Sequence, residues 1–161
     1  MEDRHQERFC DPRESQLEMP AKTLYSLEIL TITMQKNKIT IIINKPIEEV
    51  FEFTTNPKNT HLWIPSIVEE IAEEYPPKIR TQYKNRGNDS NWNFYKVIEF
   101  QKNKIFTLSD LEDNYHVRYT YRKINENSTE MEYFEWMENG ELSNPFTDDI
   151  IQKLKSVMES N

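Results

Sequence analysis

Residues 38–44 read KITIIIN, β-branched and almost wholly apolar, the pattern of a strand covered on both faces or set centrally in a sheet. The period then changes. Pro46 suits a helix N1 position, Glu48 and Glu49 complement the positive end of the dipole, and Ile47, Val50 and Phe51 recur at i, i+3, i+4. This helix is expected to stop near Thr55, because Pro57 disfavours helix at Asn56. Asn56 can cap a second short helix that carries Leu62 and Trp63 and is closed by Pro65.

Strand candidates follow at 66–75, 80–86, 92–100, 105–111, 115–124 and 129–138. They are separated by Pro76-Pro77, Gly87-Asn88-Asp89, Lys102-Asn103-Lys104, Asp113-Asn114 and 125–128, all turn-forming sequences. The sum is an antiparallel meander. Its clearest strand sets Tyr115, Val117, Tyr119 and Tyr121 on one side and His116, Arg118, Thr120 and Arg122 on the other, so one face packs and one is wet. A last helix is expected over 145–159, about 22 Å long, with Asn144 as N-cap, Pro145 at N1, Asp148 and Asp149 in the first turns, and Lys153 and Lys155 towards the negative end. Phe146, Ile150, Leu154, Val157 and Met158 form its apolar stripe, widened by Ile151.

Composition narrows the function classes. The chain has 161 residues and a formal net charge of −8. With a sequence pI near 5.0 and no block of Lys and Arg, a nucleic-acid partner is not expected. Two glycines, Gly87 and Gly140, stand too far apart for a phosphate-cradling loop, and no cofactor is assigned. A single cysteine, Cys10, forbids an internal disulfide and a cysteine-rich zinc module. His5, His61 and His116 show no metal-ligand spacing, so no metal is assigned either.

Residues 1–33 carry both charges, little apolar periodicity and no secretory signal. They read as a disordered tail or an upstream extension, with Met34 as an alternative natural start. The apolar stretch 24–34 contains Glu28 and is too short to cross a bilayer, and a cytoplasmic location is expected. Before Met34 there are seven acids and four bases, after it 21 and 16, so the folded unit 34–161 is only mildly acidic.

The order strand, two helices, six strands, long helix resembles the START-like (SRPBCC) superfamily, which includes polyketide cyclases and pollen-allergen-like carriers. The resemblance covers residues 34–160 and is carried by KITIIINKPIEEVFEFTTNPKNTHLWIPSI, above all the Pro46 to Phe51 helix start and Trp63 followed by Pro65 and Ile67. Asn56 stands where an acidic residue is common in the family. The resemblance implies an α+β helix-grip fold, a curved antiparallel sheet of about seven strands around the C-terminal helix, with two short helices between strands 1 and 2. It also implies an apolar cavity between sheet and helix.

The expected function is binding of a small hydrophobic or amphipathic molecule there, without chemistry. The expected lining is Phe51, His61 and Trp63 from the short helices, Tyr119, Tyr121, Tyr133 and Glu135 from the last strands, and Ile150 and Leu154 from the last helix. Tyrosine offers apolar surface and a phenol hydrogen bond at once. No catalytic residue is assigned.

The phase of 129–138 is open. If Met131, Tyr133, Glu135 and Met137 face inward, Glu135 is a carboxylate in the cavity, suited to general acid or base work. If Phe134 and Trp136 face inward, Glu135 is solvated. An enzyme of cyclase or dehydratase type, using Glu135, Tyr119, Tyr121 and His61, is the alternative function, and a protein-interaction or co-chaperone-like role is a third. His116, Arg118 and Arg122 read as solvated outer positions. Glu69-Glu70 and Glu73-Glu74 read as an acidic surface patch.

Overall fold

The computed structural model describes residues 35–160; the expectations for 1–33, the Met34 start, His5 and Cys10 lie outside them. Strand β1 (Lys36–Ile43) is followed by α1 (Ile47–Thr55), a 3₁₀ turn (Pro57–Asn59) and α2 (Thr60–Trp63). Then come β2 (Glu69–Ala72), β3 (Gln82–Arg86), β4 (Asn93–Gln101), β5 (Ile105–Asp110), β6 (Tyr115–Asn125), β7 (Ser128–Met137) and α3 (Asp148–Glu159). The fold class is α+β.

All seven strands form one antiparallel sheet in the order β1-β7-β6-β5-β4-β3-β2. Only β1 sits out of chain order, so the helical connection carries the chain from one edge of the sheet to the other. The register shifts between Val97 and Glu99 on β4, an irregularity of the kind that bends a strand. The Asn56 side chain accepts the Lys58 N–H at 3.1 Å and starts the 3₁₀ turn, as its position before proline suggests.

Helix α3 packs on β1 and α2, while α1 lies against β6 and β7. The buried seam of α3 is Ile151, Leu154 and Met158; full burial of a side chain such as Leu154 contributes roughly 1.5–3 kcal/mol. At the packed end of the sheet Phe51 meets Tyr121 edge to face at 5.1 Å and Phe100 at 5.7 Å. The Tyr121 hydroxyl and Thr54 Oγ1 share a hydrogen bond of 2.6 Å.

Three expectations are corrected here. First, β1 is an edge strand paired only with β7, not one covered on both faces: Ile41 and Ile43 are buried while Ile42 between them is 46% exposed. Its open edge is partly covered from α3, where Lys155 Nζ donates to the Ile42 carbonyl at 2.8 Å and Glu159 Oε1 accepts the Asn44 N–H at 2.7 Å. Such cover blunts an unpaired strand edge.

Second, α3 begins at Asp148 after Thr147, not at Pro145. The peptide groups of Phe146 are already engaged, its N–H by Glu135 Oε1 at 2.7 Å and its carbonyl by Asn37 Nδ2 at 2.9 Å, so the first turn cannot take them. Twelve residues give about 18 Å of helix.

Third, His116 is not solvated. It is 6% exposed and stacks on Trp136 with ring centroids 4.7 Å apart, Nε2 lying 3.3 Å from a Glu138 carboxylate oxygen. Arg118 covers Trp136 on the same outer face at 5.2 Å, so aromatic and cationic side chains dry out part of the side expected to be wet.

Candidate functional site

Beside the packed core that includes Phe51 and Tyr121, part of the concave side of the sheet is not filled. A cavity of about 540 Å³ lies between β2–β7, α2 and the segment that leads into α3. Its apolar wall includes Trp63, Ile64, Phe106, Leu108, Val117 and Phe146. Several of its aromatic rings touch one another in sequence: Phe106 stacks with Tyr119 at 6.1 Å, Tyr119 meets Tyr133 edge-on at 5.5 Å, and Tyr133 stacks flat on Phe146 at 4.3 Å. Trp63, 1% exposed, packs edge-on against Tyr119 and Phe146.

The phase of β7 is the first of the two alternatives: Met131, Tyr133 and Glu135 face inward. Glu135 is 1% exposed yet does not reach the cavity surface. Oε1 accepts from Asn37 Nδ2 at 2.9 Å and the Phe146 N–H at 2.7 Å. Oε2 accepts from the Tyr115 hydroxyl at 2.7 Å and the Tyr133 hydroxyl at 3.0 Å. Four donors meet the cost of burying this carboxylate. Burial and the neighbouring Glu135 charge push the Tyr115 phenol far above its ordinary range.

A different carboxylate faces the cavity. On β2, Glu69 turns outward to pair with Arg86 at 2.7 Å, so Glu70 turns inward. Thr60 Oγ1 donates a short hydrogen bond to Glu70 Oε2, and Asn85 Nδ2 donates to Oε1 at 3.3 Å. Asn93 Nδ2 in turn donates to Asn85 Oδ1 at 3.4 Å. Burial raises the Glu70 carboxyl above its ordinary value, against the opposing effect of the Thr60 and Asn85 hydrogen bonds. The Tyr119 phenol rises as well, first through burial and then through the nearby Tyr121 and Glu70.

Of the residues expected to line the site, the structure brings Trp63, Tyr119 and Tyr133 to the cavity. The others lie elsewhere. Phe51, Tyr121 and Leu154 are packed in the core beside it, Ile150 sits half-buried at the flank of that core, and Glu135 is sealed behind Tyr115 and Tyr133. His61 is exposed on α2, with Trp63, two residues on, turned into the core. The acidic patch expected on the surface is divided by strand alternation, Glu69 out and Glu70 in.

Glu70, Asn85, Asn93 and Tyr95 were missed. Register explains their meeting: Tyr83 pairs with Tyr95 and Asn85 with Asn93, and the alternation Tyr83, Asn85 was the available signal. Gly87 stands at the rim, where a Cβ would come within 2.9 Å of the Ser66 carbonyl oxygen, so the two backbones can approach only because that residue lacks a side chain. Among the described residues no three His, Cys, Asp or Glu converge as a metal site, and no helix is long and apolar enough to cross a membrane.

No family model and no curated protein matches the chain. Solved structures do. NE0264 from Nitrosomonas europaea is similar with a TM-score of 0.62 at 10% identity, over 78% of this chain and 95% of that one. XoxI from Bacillus cereus gives 0.61 at 13% identity, over 77% and 95%. EF2215 from Enterococcus faecalis, a conserved protein of unknown function, gives 0.60 at 13% identity, over 76% and 70%. At such identities the likeness is one of fold, a mostly antiparallel sheet with a C-terminal helix.

Proposed function

We propose that the chain is a START-like (SRPBCC) binding module that holds a small hydrophobic or amphipathic molecule in the cavity beneath the sheet. The observation that carries this reading is the cavity itself, about 540 Å³ with a mainly aromatic and aliphatic wall and a few placed polar groups. Ligand sites commonly occupy 300–1,000 Å³ and have this composition. Uptake of the neutral fluorophore N-phenyl-1-naphthylamine tests it. One equivalent is expected to bind with enhanced emission, and Leu108→Trp, which projects a ring into the space, is expected to abolish that uptake while the variant still melts cooperatively. Absence of stoichiometric uptake by the unaltered chain, together with no small molecule retained in native mass spectrometry, overturns the reading.

A second reading is favoured by one feature, the raised carboxyl of Glu70 facing the same space as Tyr119. A carboxyl that keeps its proton to higher pH through burial is better suited to act as a general acid. In a cyclase or dehydratase of this fold Glu70 then takes the place expected for Glu135, because Glu135 is closed off by its four donors.

A further inference from the structure

The hydrogen-bond donors of the cavity wall are largely turned away from the cavity. Tyr115 and Tyr133 donate to Glu135, and Tyr83 donates to the Thr55 carbonyl at 2.9 Å. Thr60 and Asn85 donate to Glu70, and Asn93 to Asn85. A phenol whose proton is engaged can only accept from a newcomer. The interior is therefore rich in acceptor oxygen. Its carboxyl groups, Glu70 and Asp89, are not matched by a cation, since no Lys, Arg or His lines it. Tyr119 is 6% exposed, and its hydroxyl makes no hydrogen bond among the described residues. It therefore remains able to meet a ligand, as does the buried Trp63 Nε1–H, which has no partner among the described residues.

Aromatic faces attract cations, and a carboxylate completes a charge-assisted hydrogen bond with an ammonium. An anion entering the same space loses its hydration and meets like charge. Building on the reading of this cavity as a ligand site, we propose that it selects an amphipathic amine. The ammonium group of that ligand is set between Glu70 and the aromatic wall formed by Tyr119 and Tyr95, and its apolar body lies against Phe106, Leu108 and Val117.

Three probes of equal chain length, decylamine, decanol and decanoate, each below its micellar concentration, separate charge from hydrophobicity by displacement of N-phenyl-1-naphthylamine at neutral pH. Decylamine is expected to bind at least about tenfold more tightly than decanol, which corresponds to about 1.4 kcal/mol, with decanoate weakest. In Glu70→Gln the advantage of amine over alcohol is expected to fall below about threefold.

Decanoate binding as tightly as decylamine, or an amine preference that survives Glu70→Gln, overturns the proposal. So does decylamine binding that survives Leu108→Trp, because that is adsorption to the acidic surface. If the fluorophore and decanol bind but the amine has no advantage, the amine assignment falls and the ligand cavity stands. If none of the probes binds, both fall.

Discussion

Two carboxylates point to the concave side of this sheet, and their surroundings differ in one respect that sets their roles apart. Glu135 on β7 receives four hydrogen bonds, from Asn37, Phe146, Tyr115 and Tyr133, and has no lone pair directed at open space. Glu70 on β2 receives two, from Thr60 and Asn85, and borders the cavity. Burial alone does not make an acid functional. A carboxylate fully supplied with fixed donors acts as a structural joint, whereas one left partly supplied retains capacity to meet a ligand.

The largest expected effect is at the saturated group. Glu135→Ala strands four donors in the interior, and a loss of about 3–5 kcal/mol in urea denaturation is expected. A loss below about 1 kcal/mol would mean that water replaces the carboxylate and that the contrast with Glu70 is overstated. Tyr115→Phe removes one of those donors and is expected to cost about 1.5–3 kcal/mol by the same measurement, the range for a hydrogen bond to a charged partner.

Glu70→Gln has the opposite sign above mildly acidic pH. Because burial raises the Glu70 carboxyl in the folded chain, the folded state holds a proton that the unfolded chain releases near its ordinary value of about 4.3. Glu70 therefore makes stability fall as pH rises from that value to its own raised one, with the full penalty present above it. Thermal melts of both proteins across this window should show a shallower decline for Glu70→Gln; parallel curves would remove the desolvated carboxyl from the comparison. The smallest effect is expected for Tyr119→Phe. Its hydroxyl has no partner to lose, so stability should change by less than about 0.5 kcal/mol, with any consequence confined to ligand affinity.

How far these regions could be read beforehand follows from their local patterns. The sequence 115–122 alternates apolar and polar residues and its tyrosines face inward as the pattern requires, while His116 on the outer face is buried against Trp136. Helix α1 (Ile47–Thr55) stops where its apolar spacing and Asn56-Pro57 place the end, and starts one residue later than expected, with Pro46 as N-cap and not at N1. β2 gives a misleading signal. Its four residues, EEIA, put Ile71 outward at 40% exposure and Glu70 inward, the reverse of what hydrophobicity suggests, because the neighbouring surface there is the cavity and not packed core. In β7 two large aromatics, Phe134 and Trp136, compete with Tyr133 and Glu135 for the inner face. The outcome turns on Asn37, Tyr115 and Phe146, residues 11 to 98 positions away in the chain. Such distant donors cannot be inferred from strand period. The same holds for the start of α3, fixed by Asn37 and Glu135 through Phe146 and not by the nearby Asn144-Pro145.

Phe146 gives this arrangement a mechanical meaning. Its N–H is held by Glu135, its carbonyl by Asn37, and its ring lies flat on Tyr133 within the cavity wall. It is a hinge pin between the last strand and the last helix, fastened to the sheet on two strands at once. Whatever occupies the space beneath the sheet lies against a residue whose own peptide hydrogen bonds hold helix and sheet together. One residue thus serves both as cavity wall and as the joint of the last helix.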